Sequence, residues 1–256
     1  MCGIAGFVND MPIDVKCPVL QRMTDMIAHR GPDSEGHYID EHAALGHRRL
    51  SIIDLGGGQQ PIYNEDGSKV ITFNGEIYNY QTLREELIAA GHTFTTKSDT
   101  EVLLHGYEQW GVDLLQRVRG MFTFVIWDKN KQELFGARDH FGIKPFYYAK
   151  MNGTFMYASE IKSLLRHPDF VKELNAEALK PYMTFQYPAI GETFFKGVYK
   201  LPEGHYFTYR DGKMDIHRYY DEDFREGKQK LGELVNSIDQ TVCDSVKAHQ
   251  IADVEV

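Results

Sequence analysis

An apolar run begins at the fourth residue, Ile4-Ala5-Gly6-Phe7-Val8, and it constrains the fold more than any other stretch. Such a run reads as a buried strand. The start of the chain is therefore docked in a core, not frayed as termini usually are. Cys2 sits at the edge of that strand, directly behind Met1. A methionine before a small residue is expected to be trimmed. Trimming leaves Cys2 with a free α-amino group on the carbon that carries its thiol. A thiol is a good nucleophile, limited near neutral pH by its small thiolate fraction. An α-amine, with a pKa of about 7.7–8.0, is partly unprotonated there and can act as a built-in base.

Size and charge narrow the remaining classes. The chain has 256 residues, room for one large domain or two modest ones. Its 42% hydrophobic content supports a substantial core. No apolar run reaches the roughly eighteen residues of a membrane helix, and no basic-then-apolar leader opens the sequence. Neither a membrane nor an export route is expected. The net charge of −9, from 37 acidic and 28 basic residues, argues against a nucleic-acid partner. Cys2, Cys17 and Cys243 are odd in number, far apart and in no CxxC pair. That argues against a disulfide framework or a cysteine zinc site and points to the cytoplasm. No metal is expected.

Along the chain, Met11-Pro12 breaks the first strand. Val19, Leu20, Met23, Met26 and Ile27 are spaced as on a helix over 15–29, which runs into the polar loop His29-Arg30-Gly31-Pro32-Asp33. Residues 36–39 and 43–47 read as a hairpin leading to His47-Arg48-Arg49. Two adjacent arginines on a strand face opposite ways, so one can be solvated while the other enters a site. Arginine's planar fork suits a carboxylate. Gly56-Gly57-Gly58 lacks the Lys-Ser/Thr ending of a phosphate loop and reads as flexible.

Residues 69–73 form a strand that ends in Asn74-Gly75-Glu76, followed by a helix through Leu83, Leu87 and Ile88. Asn-Gly is a hairpin turn or, side by side, an amide and a backbone N–H of the kind that stabilise an oxyanion. Ser98 and Glu101 fit a reciprocal capping box at the next helix, with Asp99 either stabilising the first turn or serving a site. From Met121 onward short turns separate strands at 121–127, 133–138, 146–149, 154–158, 206–210 and 214–217, an antiparallel pattern. Short helices are expected at 159–165 and, capped by Asn175, through Tyr182. An amphipathic helix over 231–249 closes the chain.

Taken together, the candidate groups are a nucleophile with its own base (Cys2), a carboxylate binder (Arg49), an oxyanion pair (Asn74 and the Gly75 N–H) and two carboxylates (Glu76 and Asp99). A free α-amino acid offers one carboxylate and one ammonium group, and an amide side chain offers a target for Cys2. The set matches attack on the side-chain amide of glutamine. His29, His47, Arg48 and His140 are read as structural.

The stretches CGIAGF (2–7), HRGPDSEG (29–36), GHRRLSIID (46–54), NGEIYN (74–79) and SDTEVLL (98–104) resemble the class II glutamine amidotransferases, which are N-terminal-nucleophile hydrolases. Ala137–Pro145, Ala158–Lys162 and Lys200–His205 sharpen the likeness toward the glutaminase half of glutamine-hydrolysing asparagine synthetase. The resemblance implies an α+β fold of four layers, two antiparallel sheets sandwiched between helices. It implies that Cys2 forms a glutamyl thioester while its α-amine shuttles protons. Asn74 and Gly75 would hold the oxyanion, Arg49 the α-carboxylate, and Glu76 and Asp99 the α-ammonium group.

It further implies a glutaminase domain over 2–220, then over 226–256 a linker and the first helix of an ATP-dependent synthetase domain. The Ser-Gly-Gly-Leu-Asp-Ser-like loop of that domain is absent from the sequence. The chain therefore reads as truncated just short of it, with Leu231, Leu234, Val235, Ile238, Val242 and Val246 left exposed, disordered or self-associating. No cofactor is expected for glutamine hydrolysis; ATP and magnesium belong to the synthetase domain. The partners are glutamine and that domain, with a homodimer left open. Two alternatives stand beside this reading. One is a glutaminase serving another acceptor, a sugar phosphate or phosphoribosyl pyrophosphate. The other is a catalytically silent scaffold.

Overall fold

Residues 1–187 and 191–253 are described by a computed structural model. The N-terminal run forms β1 (Gly3–Val8), followed by α1 (Ile13–Asp25), β2 (Ser34–Ile39), β3 (Ala43–Arg49), β4 (Ile62–Tyr63) and β5 (Lys69–Ile77). Two helices come next, α2 (Tyr80–Ala89) and α3 (Asp99–Trp110), then β6 (Gly120–Asp128), β7 (Glu133–Arg138), β8 (Tyr147–Met151) and β9 (Thr154–Ala158). The chain continues through α4 (Ile161–Leu164), α5 (Leu179–Phe185), β10 (Val198–Lys200), β11 (His205–Arg210), β12 (Lys213–Arg218) and α6 (Leu231–His249).

The strands make two antiparallel sheets of six. One has the order β10-β8-β9-β1-β3-β2 and the other β12-β11-β7-β6-β5-β4. Three apolar clusters define four layers. Ile4, Leu45, Val125, Trp127, Phe155 and Phe207 fill the gap between the sheets. Ala5, Phe7, Val19, Leu20 and Met23 seal α1 and α4 to the outer face of the first sheet. Phe73, Leu83, Leu87, Leu103 and Phe124 seal α2 and α3 to the outer face of the second. The expected α+β sandwich of two antiparallel sheets between helices is the observed architecture.

Strand alternation explains how one strand serves two cores. In β1, Ile4 joins the inter-sheet core while Ala5 and Phe7 join the α1 layer. In β5, Val70 faces the other sheet while Ile71, Phe73 and Ile77 face α2 and α3. The same parity governs the polar residues.

Several boundaries differ from the sequence reading. The helix expected over 15–29 stops at Asp25, and Ala28–Arg30 form a separate 3-10 turn. The strand expected to end at Phe73 runs on to Ile77, so Asn74-Gly75 is strand and not turn, paired with Thr123 and Phe122. Asn175 accepts from the Glu177 N–H and caps one 3-10 turn ahead of α5. The reciprocal capping box does not form. Ser98 Oγ accepts from the Thr100 N–H at 3.2 Å, but Glu101 turns away from Ser98. Its two oxygens take the N–H and hydroxyl groups of Thr95 and Thr96 instead, at 2.6–3.0 Å. Four donors on one buried carboxylate outweigh the single Ser98 N–H.

The apolar residues of α6 are exposed, from 38% at Leu234 to 78% at Leu231. Only its far end returns to the body. The His249 ring packs on Tyr78 at 4.3 Å. The Asp253 N–H donates to Ile52 O, and the Asp54 N–H donates to Asp253 Oδ2. Of the closing run 251–256, Val254–Val256 lie outside the described residues.

Candidate active site

Cys2, Arg49, Asn74, Gly75, Glu76 and Asp99 line a single cavity of about 240 Å3, together with Gln60, Ser98, Thr100 and Lys144. That is below the roughly 300–1,000 Å3 of drug-sized sites and on the scale of one amino acid. Strand parity aims the set. Cys2 shares the inward face of Ile4, Arg49 that of Leu45, and Asn74 and Glu76 that of Val70. Arg48, one residue out of phase, faces the α1 layer and pairs with Asp25 and Glu35. The expectation that adjacent arginines divide between faces holds, although Arg48 is ion-paired and not simply solvated.

The thiol is held by one residue. Leu50 N–H donates to Cys2 Sγ at 3.3 Å, and Sγ lies 3.5 Å from Leu50 O. Burial pushes the Cys2 thiol up from its ordinary pKa. Arg30 Nε donates to the Cys2 carbonyl at 2.9 Å, and its Nη1 reaches Glu160, which also bonds His29 and Lys162. Burial opposes charge on Glu160, but these bonds outweigh it and hold its pKa at about 2. His29 is thus structural, as expected. Arg30 is the group the sequence reading missed: its motif was noted as a loop, and nothing in its spacing links it to Cys2.

Both amide atoms of Asn74 are buried without a hydrogen-bond partner among the described residues. Gly75 is placed by the end of β4, which pairs β5 only at Ile71 and Val70. Beyond that point the outer edge of β5 finds side chains. Phe73 N–H donates to Gln60 Oε1 at 2.6 Å and Ile77 N–H to Asp99 Oδ2 at 3.0 Å. By alternation the Gly75 N–H points the same way, between them. A Cβ on Gly75 would sit 2.1 Å from Met121 O, so only glycine lets β5 and β6 approach here.

Among the described residues the ionisable side chains Arg49, Glu76, Asp99 and Lys144 of the cavity form no ion pair. Burial pushes Asp99 up to about 7, with the Glu76 charge adding to the shift, and burial raises Glu76 as well. Two adjacent carboxylates of this kind favour a cation. Arg49 has no carboxylate within ion-pairing distance among the described residues. Its Nη2 is fixed by Ile53 O at 3.1 Å and Asp54 O at 2.6 Å. The segment just ahead of the glycine-rich loop thus holds the guanidinium, and Gly58 of that loop lines the cavity. Lys144 arrives from the loop after β7. There Asp139 accepts the N–H groups of Phe122, Phe141, Ile143 and Lys144. Arg138 is anchored on the carbonyls of Gly142, Lys144 and Leu201. Burial lowers Lys144 from its ordinary pKa, and its Nζ lies 3.2 Å from Met1 Sδ. His47 Nε2–H donates to Phe73 O at 3.0 Å, and burial pushes the ring down to about 3, which fits a structural role. Cys17 and Cys243 are exposed free thiols.

A protein family described as a glutamine amidotransferase domain matches residues 1–220. Asparagine synthetase [glutamine-hydrolyzing] 1 of Bacillus subtilis (strain 168) is 44% identical over 260 residues, 100% of this chain and 41% of that protein. Amidase chry2 of Gibberella zeae is 34% identical over 279 residues, 100% of this chain and 40% of that protein. The chain thus spans about two fifths of the length of these curated relatives. Among solved structures, glutamine phosphoribosylpyrophosphate amidotransferase from B. subtilis superposes with a TM-score of 0.65 at 18% identity. The match covers 86% of this chain and 50% of that one, a likeness of fold.

Proposed function

This chain belongs to the glutamine amidotransferase domain family, and on that premise we infer that its cavity cleaves the side-chain amide of glutamine through Cys2. The observation that carries the reading is the unpartnered Asn74 amide beside the thiol, in a cavity that also holds an unpaired guanidinium and two carboxylates. Arg49 takes the α-carboxylate of glutamine. Glu76 and Asp99 take its α-ammonium group, which restores the ionised form of Asp99. The amide carbon is then presented to Sγ.

Removal of Met1 is a condition of the chemistry. While Met1 is present, the Cys2 nitrogen is a peptide N–H and cannot be a base, and the methionine itself lines the cavity. Its removal frees an α-amine that accepts the thiol proton as sulfur attacks. The oxyanion is stabilised by Asn74 Nδ2–H and the Gly75 N–H. Collapse passes the proton to departing ammonia and leaves a glutamyl thioester. The same amine activates water to release glutamate and regenerate the thiol. Arg30 and Leu50 keep the backbone and sulfur of Cys2 in register for both steps.

The acceptor in this reading is an ATP- and magnesium-dependent domain that begins within 226–256 and amidates aspartate to asparagine with ammonia supplied by residues 2–220. The alignment of this whole chain with two fifths of an asparagine synthetase supports this acceptor. Three free cysteines fit a cytoplasmic protein, and among the described residues no helix is long and apolar enough to cross a membrane. The test is glutamate release from glutamine by the wild-type chain and by Cys2→Ala, with Met1 removal verified by mass spectrometry. Equal rates in the two, with Met1 gone from both, would overturn the reading.

A further inference from the structure

Away from the cavity, four metal-competent side chains converge where the β4–β5 turn, the segment after α2 and the second half of α3 meet. They are Glu65, His92, His105 and Glu108, whose ligand atoms all lie within 4.8 Å of one another. His92 Nδ1 is 3.3 Å from Glu65 Oε1. His105 Nδ1 is 3.4 Å from Glu65 Oε2 and 3.2 Å from Glu108 Oε2. A tetrahedral zinc ion with bonds of about 2.0–2.2 Å spaces neighbouring ligand atoms about 3.3–3.6 Å apart. The three spacings given are close to that polyhedron's edge, and the remaining ones lie within 4.8 Å.

Each residue also meets a neighbour from outside the cluster, in the way that metal ligands are oriented by their neighbours. His105 Nε2 faces the buried Glu101 carboxylate at 3.5 Å. His92 Nε2 lies 3.2 Å from Gln109 Oε1. Each ring therefore meets an acceptor at Nε2 and carboxylate oxygens at Nδ1, which is the nitrogen turned into the cluster. Glu65 Oε1 accepts from the Thr93 N–H at 3.1 Å. Glu108 Oε1 accepts from Asn64 Nδ2 at 2.7 Å, with Lys69 Nζ 3.5 Å away on the same oxygen. Two imidazole nitrogens and the carboxylates of two glutamates thus converge, and a metal ion bound among them would take the place of the ring protons that the carboxylates now accept. His105 is 1% exposed and Glu65 38%, which gives the cluster a rigid floor and an open mouth.

We propose that Glu65, His92, His105 and Glu108 form a binding site for a divalent transition-metal ion of the zinc class. Its N2O2 donor set suits zinc over magnesium or calcium. The ion would clamp α3, whose first residue is Asp99 of the cavity, to α2 and to the β4–β5 turn. The expectation of no metal rested on the cysteines, and these four residues, spread from 65 to 108, form no short motif.

The test uses the full chain carrying Cys2→Ala, Cys17→Ser and Cys243→Ser, so that thiols do not compete for metal. After chelator treatment, calorimetric titration with zinc is expected to show one ion per chain. The melting temperature is expected to rise by about 5–10 °C at a hundredfold excess over Kd. Cobalt in the same site is expected to give the visible absorption of a tetrahedral centre. His92→Ala and Glu65→Gln, both at the open side, are expected to lower zinc affinity at least tenfold without loss of fold. No zinc uptake, uptake that is unchanged in both variants, or preference for magnesium over zinc would overturn the proposal.

Discussion

Asn74 offers a test in which stability and activity move in opposite directions. Its side chain is 1% exposed, and neither amide atom has a partner. Leaving a buried polar group unsatisfied costs about 1–3 kcal/mol. Asn74→Ala removes that cost. Its backbone stays in the ladder opposite Thr123, and the space it vacates opens into the cavity, not the core. Allowing for alanine's poorer fit to a strand, the unliganded chain should gain about 1 kcal/mol. For a domain of this size that is a melting temperature about 2–4 °C higher. The same change removes one oxyanion donor, which should lower kcat by about 10²–10³-fold. Scanning calorimetry and steady-state glutamate release, both on protein freed of Met1, read the two effects separately. A lower melting temperature, or kcat within tenfold of wild type, would refute the argument.

Three further outcomes follow from the cavity. Arg49→Ala loses a charge-assisted pair worth about 1.5–3 kcal/mol, so the KM for glutamine should rise by roughly 10–150-fold with kcat changed less than tenfold; an unchanged KM would mean another group binds the carboxylate. Asp99, raised by burial to about 7, is neutral in the free protein below that pH, while an ammonium ligand favours its charged form. Glutamine binding should therefore release a proton, and KM should fall as pH rises through about 7, a dependence that Asp99→Asn abolishes. By the same linkage the unliganded protein loses stability as pH rises from the ordinary carboxylate value of about 3.9 toward 7, and urea titration across that window with and without glutamine checks the sign. Gly75→Ala places a methyl 2.1 Å from Met121 O and should destabilise the chain by at least about 1–3 kcal/mol, read as a lower melting temperature; an unchanged value would mean that β5 and β6 are not packed as described.

Much of the second half was legible because hairpins are local. The turn at Asp211-Gly212 and its flanking strands follow from a few adjacent residues. The layer order was not, because the first sheet sets β1 between β3 and β9, and the pairing with β9 spans more than a hundred residues of sequence. The candidate residues were found by matching side-chain types to the groups of one substrate, and the cavity gathers all six. What escaped were contacts made by backbone or by remote side chains. Arg30 acts on a carbonyl, Leu50 through its own N–H and C=O, and Gln60 substitutes for a strand that stops early. Composition and periodicity carry no record of such partners. The end of β5 was misplaced for a related reason: Asn-Gly is a strong local turn signal, overruled here by nine consecutive pairings with β6.

The inward parity of β1, β3 and β5 bears on how such a chain can change over generations. Losing or gaining one residue within Gly3–Val8, Ala43–Arg49 or Lys69–Ile77 would turn every side chain beyond it toward the opposite layer. Cys2 would then face α1, or Asn74 and Glu76 would face α3. No gradual route joins the two arrangements, because a strand has only two sides. Length variation in descendants should therefore collect in turns such as 64–68 and 129–132, while these three strands keep their residue count even where their amino acids drift.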